Sequence, residues 1–149
     1  DVVWDLSVHD ISILNFLLNN NPIKYSSLKI STLNKKLADT AYLNLVYKNK
    51  INVFLKNSWI SPDKVRLIKF KFKKAIIHCD ENEQIYKIKV FHKKNINNLE
   101  FKLEIPEVNL TEPLSVLVDY IYKSIKNNTN KIFDNNLNIN ITKTLKKLS

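Results

Sequence analysis

Hydrophobic and polar positions along this chain change their period twice. From Trp4 to Leu18 apolar residues recur at helical spacing, and Asn19-Asn20-Asn21-Pro22 then ends the helix. Asn favours turn geometry, and a residue before Pro is held out of the helical region. From Ile23 to Ile105 the period is two. Ile23 to Ser31, Ala41 to Tyr47 and Ile51 to Trp59 read as strands, the last two joined by a hairpin tip at Lys48-Asn49-Lys50. Ile68, Phe70 and Phe72 alternate with lysines, as do Tyr86, Ile88 and Val90; Leu99, Phe101, Leu103 and Ile105 alternate with Glu100, Lys102 and Glu104. Alternation of this kind belongs to half-buried strands of a largely antiparallel sheet. Thr111-Glu112-Pro113 offers a cap and an early-turn Pro, and Leu114, Leu117, Val118, Ile121 and Ile125 follow as an apolar stripe. A last helix places Ile141, Leu145 and Leu148 on one side, and Asn95–Asn98 and Asn127–Asn130 read as loops. Helix, strands, helix, helix predicts an α+β fold: a largely antiparallel open β-sheet with helices packed on one face. Its other face is then either a subunit interface or a solvated, lysine-coated surface.

Composition narrows the classes. At 149 residues, 44% hydrophobic and 26% charged, the chain has the size and make-up of one soluble domain. No apolar run approaches the ~18 residues of a membrane span, and no signal peptide is visible. The single cysteine, Cys79, has no internal partner, which fits a reducing cytoplasm. His9, His78 and His92 lie far apart, without metal-ligand spacing, so no zinc site is expected. There is no Met, and the chain starts at Asp1 directly before a helix, as expected of a fragment whose natural start lies upstream. The absence of Gly and the single Arg, Arg66, among 24 Lys+Arg point to base bias in the gene. The same bias tempers the net charge of +10. Lysines are dispersed and no aromatic-interleaved RNA motif appears, so specific nucleic-acid binding is not expected. Weak, salt-sensitive adhesion to polyanions is.

Candidate chemistry lies in the first helix. Asp5 and His9 are four residues apart, a spacing that stacks side chains on one helical face. Such a carboxylate can orient an imidazole that transfers protons; a pair on a solvated helix is the plain alternative. A helical wheel puts Asp5, His9 and Ser12 on one stripe, with Leu6, Ile13 and Leu17 on one side and Trp4, Val8, Ile11 and Leu18 on the other. A polar stripe between apolar faces suggests a wedged helix with one edge lining a cleft.

Four blocks, WDLSVHDISIL, ADTAYLNLVYKNKINVFLKNSWISPDKVR, EPLSVLVDYIYKSIKNN and FDNNLNINITKTL, resemble the C-terminal, substrate-binding domain of the Gfo/Idh/MocA oxidoreductases. The resemblance spans Asp1 to about Leu148 and is nearest the branch of nucleotide-sugar dehydrogenases similar to UDP-N-acetylglucosamine 3-dehydrogenase, found in surface-polysaccharide pathways. It implies a domain with a large open sheet that covers the nicotinamide of NAD or NADP and makes subunit contacts, hence a homo-oligomer. The cofactor would be bound mainly by an N-terminal Rossmann domain absent from residues 1–149. The family's Asp-x-x-x-His motif falls on Asp5 and His9, implying that His9 contacts the hydroxyl being oxidised on a sugar or nucleotide sugar and shuttles its proton. Asp5 would orient His9 or hold the substrate. In Ser58–Arg66 the resemblance places Lys64 or Arg66 near substrate phosphates or at a subunit contact. The alternative is a strand end with Trp59 in the core, Pro62 in the turn and the charges in solvent. The chain departs from the family where Gly is common: at Ser7, near Asn49-Lys50, near Phe72, and at Asn135 and Asn138. Asn tolerates left-handed angles but Lys and Phe do not, so the turn near Phe72 is expected to be rearranged or strained. A chain without Gly has no GxGxxG loop, and the family's Glu-Lys-Pro motif has no counterpart, so these residues alone should not turn over substrate. A stand-alone sheet domain for oligomerisation or ligand binding is the other reading.

Overall fold

Asn19 ends the first helix in the left-handed conformation (φ 45°, ψ 40°). It is one of three residues with positive φ among those described, the others being Asn49 and Lys50 (both φ 59°) at the hairpin tip. These are turn positions that Gly ordinarily fills, and here Asn takes two of them. The computed structural model describes residues 1–33, 35–94, 100–108, 111–127 and 135–149. They form two compact units, Asp1–Ser61 with Ser124–Ser149, and Pro62–Lys123.

In the first unit a π turn, Val3–Ser7, leads into α1, Val8–Leu18. Three strands follow, β1 (Lys24–Ile30), β2 (Thr40–Val46) and β3 (Asn52–Ser58), with a 3₁₀ turn at Lys48–Lys50 between the last two. They pair antiparallel in the order β1-β2-β3. Central β2 shows the expected alternation: Ala41, Leu43 and Leu45, with Tyr47 just beyond, are buried, whereas Tyr42 is exposed. The buried set packs with Val2, Val3, Ile11 and Leu14 and with Ile141, Leu145 and Leu148 of α3 (Asn135–Leu148) in one core. The helices therefore cover one sheet face. The register puts Leu28, Ile30, Tyr42 and Phe54 on the other, all exposed, Leu28 at 62% and Phe54 at 76%.

The second unit holds a four-stranded antiparallel sheet, β4 (Leu67–Lys71), β5 (Ala75–Asp80), β6 (Ile88–Lys93) and β7 (Phe101–Glu104), in that order. Its cross-strand row Lys69–His78–Lys89 holds the His78 imidazole below its ordinary pKa, first by desolvation and then by the two ammonium groups. Burial pushes the Cys79 thiol up, away from reactivity. The helix α2 (Pro113–Lys126) begins at the expected Pro, but Leu114, Leu117, Val118 and Ile125 of its apolar stripe are exposed.

The α+β class stands, as antiparallel sheets with three α-helices among the described residues. The strands divide between two sheets rather than forming one. Ala75–Asp80 carries no alternating pattern, because residues on both faces are half-buried. The turn at Phe72 is rearranged rather than strained: the Phe72 N–H donates to the Ala75 carbonyl at 2.8 Å with no positive φ. Leu99, Asn95–Asn98 and residues 128–130 lie outside the described residues. No helix among the described residues is long and apolar enough to cross a membrane.

Candidate functional site

The chain enters the site through Asp1. Its carboxylate accepts from the Val3 N–H at 2.8 Å, and its carbonyl accepts from the N–H groups of Trp4 and Asp5. The five-residue π turn that follows departs from the regular helix that the spacing predicts. Bonding i→i+5 turns each residue through a smaller angle than an α-helix does, so an α-helical wheel does not carry across Ser7. In this turn Ser7 is fully buried, and its hydroxyl donates to Asn57 Oδ1 of β3 at 2.7 Å. Asn57 Nδ2 in turn donates to Asp10 Oδ2 at 2.8 Å. One amide thereby ties both the π turn and the first turn of α1 to the end of β3.

Asp5 is exposed, and its Oδ2 accepts from the indole N–H of Trp59 at 2.8 Å. His9 is exposed on the first turn of α1, with half-buried Ser12 three residues on, where helical geometry puts both on one face. No hydrogen bond joins Asp5 to His9 among the described residues, so the carboxylate's partner here is Trp59. Around them Ile11 and Leu14 are buried, but Trp4, Phe16 and Leu17 are exposed, so the wedge expected of this helix is filled on one side only within this chain. Trp59 is 43% exposed and lies beyond the end of β3, not in the core. Its backbone N–H donates to the Asp39 carbonyl at 2.9 Å. The buried Asp39 carboxylate accepts N–H bonds from Thr32 and Leu33. Those bonds, Leu33's foremost, hold its carboxyl below the usual carboxylate range despite desolvation.

Lys64 and Arg66 belong to the second unit. The Lys64 carbonyl accepts from the Asn82 side chain. Arg66 Nη1 lies 3.4 Å from Glu81 Oε2, both side chains being more than half exposed, a pairing of little energetic weight. Asp5 in the π turn and His9 and Ser12 in α1 thus follow one another in the first unit, whereas Lys64 and Arg66 lie ahead of β4 in the second.

Sequence reasoning missed Asn57, and its strand-end alternative for Ser58–Arg66 gave Trp59 to the core. The signal for Asn57 is present in the sequence: it occupies an inward position after Val53 and Leu55, and a polar side chain at such a position must find a buried partner. A shallow cavity of about 140 Å³ near Tyr25, Asn140, Lys143 and Lys147 includes none of the expected site residues in its lining. No group of three or more His, Cys, Asp or Glu suited to a metal occurs among the described residues.

No family model matches the chain, and no curated protein sequence does. Solved structures do. The chain is similar to UDP-N-acetylglucosamine 3-dehydrogenase GnnA from Acidithiobacillus ferrooxidans, with TM-score 0.84 and 14% identity over 99% of this chain and 46% of that one. It is also similar to aldose-aldose oxidoreductase from Caulobacter crescentus, with TM-score 0.72 and 8% identity over 94% of this chain and 42% of that one. The chain therefore spans a little under half the length of either protein, and what it shares with them is the fold, which is the one the sequence resemblance implies.

Proposed function

We propose that this chain is the substrate-binding part of an NAD(P)-dependent oxidoreductase acting on a sugar or nucleotide sugar, with His9 as its proton-handling residue and Asp5 as a substrate contact. The observation that carries the reading is a fold shared along nearly the whole chain with a dehydrogenase of UDP-N-acetylglucosamine and an oxidoreductase of aldoses. An exposed imidazole, an exposed carboxylate and a half-buried hydroxyl within eight residues of chain are side chains of the kind that a polyol ligand needs. Oxidation of a carbinol requires that its hydroxyl proton be taken up, and imidazole is the side chain whose ordinary pKa suits that step near neutrality. Lys64 and Arg66, which the resemblance offers for substrate phosphates or a subunit contact, lie in the second unit, where Arg66 engages Glu81 through one nitrogen.

These residues do not fit a dinucleotide. Close approach of backbone to a pyrophosphate calls for Gly, which the chain lacks, and every strand pairing among the described residues is antiparallel. In this reading NAD or NADP belongs to a Rossmann domain beyond residues 1–149. The share of this part is to bind and orient the sugar and to accept the proton. In the assembled enzyme, His9→Ala should lower turnover by about 100-fold or more with cofactor affinity little changed. Turnover within about threefold of wild type would remove His9 from the chemistry.

One observation favours an assembly role alongside. The open face of the first sheet presents Leu28, Ile30, Tyr42 and Phe54 together, an apolar patch suited to a second copy of the chain. Sedimentation should show self-association that Phe54→Lys abolishes; a clean monomer of the wild type at high micromolar concentration would rule the interface out.

A further inference from the structure

Trp59 is held at two points. Its backbone N–H is fixed by Asp39, itself locked by two N–H donors, and its indole N–H reaches Asp5 Oδ2 at 2.8 Å. With 43% of its surface exposed, the ring is not placed there by core burial alone. An unrestrained aspartate on an exposed turn samples several rotamers, whereas a hydrogen bond from an anchored indole selects one. The carboxylate has acceptor capacity on both oxygens. Oδ2 is engaged by the indole, and Oδ1 has no hydrogen-bond partner among the described residues.

We propose that Trp59 is the positioning residue of this site: its indole fixes the Asp5 carboxylate so that Oδ1 accepts a hydrogen bond from one hydroxyl of the sugar. Trp59 acts through Asp5 and does not itself touch reacting atoms. The ligand half of the proposal rests on the sugar reading above; the coupling of Trp59 to Asp5 stands without it. The π turn belongs to the same device, because it presents Asp5 to the end of β3, while the Asn57 bridge to Ser7 and Asp10 keeps that turn in register with the strand.

The test uses Trp59→Phe, which keeps the aromatic bulk and removes the donor, and Asp5→Ala, which removes both acceptor oxygens. In proton–nitrogen spectra, the Trp59 indole signal, assigned by its loss in Trp59→Phe, should move upfield and exchange faster with solvent in Asp5→Ala. An unchanged signal would overturn the coupling whatever the ligand. Dissociation constants for UDP-N-acetylglucosamine then form a cycle over the wild type, both single variants and the double variant. Trp59→Phe should weaken binding about tenfold in the wild-type background, the order of one charge-assisted hydrogen bond. It should do almost nothing in the Asp5→Ala background. Equal losses in both backgrounds would mean that Trp59 contacts the sugar directly, and the positioning role would fall. No measurable binding by the wild type, with the indole signal still coupled to Asp5, would overturn the sugar half and leave the coupling standing.

Discussion

Asn57→Ala should be the most damaging single polar substitution in the first unit. Asn57 is 9% exposed and makes two short hydrogen bonds, one from the Ser7 hydroxyl at 2.7 Å and one to the Asp10 carboxylate at 2.8 Å. Its removal strands a fully buried hydroxyl, which costs about 1–3 kcal/mol. The lost bond to Asp10 is charge-assisted, but Asp10 is half-buried and has a further interaction, so about 1 kcal/mol is appropriate for it. The sum is about 2–4 kcal/mol. Trp4 and Trp59 are the only tryptophans and both lie in Asp1–Ser61, so tryptophan fluorescence follows that unit specifically. In urea, with a slope of about 1–2 kcal/mol/M, the midpoint should fall by roughly 1–4 M while the slope is preserved. Ser7→Ala should then cost little in the Asn57→Ala background, because the donor that needed an acceptor is gone. A loss below about 0.5 kcal/mol, the level of an ordinary surface change, would refute the idea that this amide holds the π turn.

Further outcomes follow from the same core. Burial pushes the Tyr47 hydroxyl up to about 12. Its folded pKa is raised, so the stabilisation it contributes is complete below the unfolded value near 10 and is lost as pH climbs toward 12. Tyr47→Phe should remove that alkaline loss, seen as a flatter melting temperature between those limits. At neutral pH the same variant should be less stable by about 1 kcal/mol or more, because Asn15 Oδ1 loses the donor now 2.9 Å away. Lys50→Gly should stabilise the chain by about 1 kcal/mol, since Lys50 holds φ at 59°; a destabilised variant in the same urea assay would contradict the reading of the hairpin tip.

The parts of the fold that follow local periodicity were legible. β4, β6 and β7 announce themselves by apolar–lysine or apolar–glutamate alternation, and Lys48-Asn49-Lys50 is a turn by composition. Ala75–Asp80 was hidden because its residues are half-buried on both faces, which leaves no alternation to read. The stripe of α2 was visible as a pattern, but a pattern says that a face is apolar and not what covers it. At the site, Asp5, His9 and Ser12 were legible as candidates because they share one segment. The partner of Asp5 was not. It depends on a π turn that no α-helical wheel represents and on a tryptophan fifty-four residues away, a pairing set by tertiary contact. Asn57 could have been found from its polar identity at an inward strand position.

The most direct test of the account is to titrate UDP-N-acetylglucosamine into the nitrogen-labelled protein and map which amide and indole signals move. The account predicts a focus at Asp5, His9, Ser12 and the Trp59 indole. Signals that stay still there, or that move instead around Tyr25, Lys143 and Lys147, would contradict it.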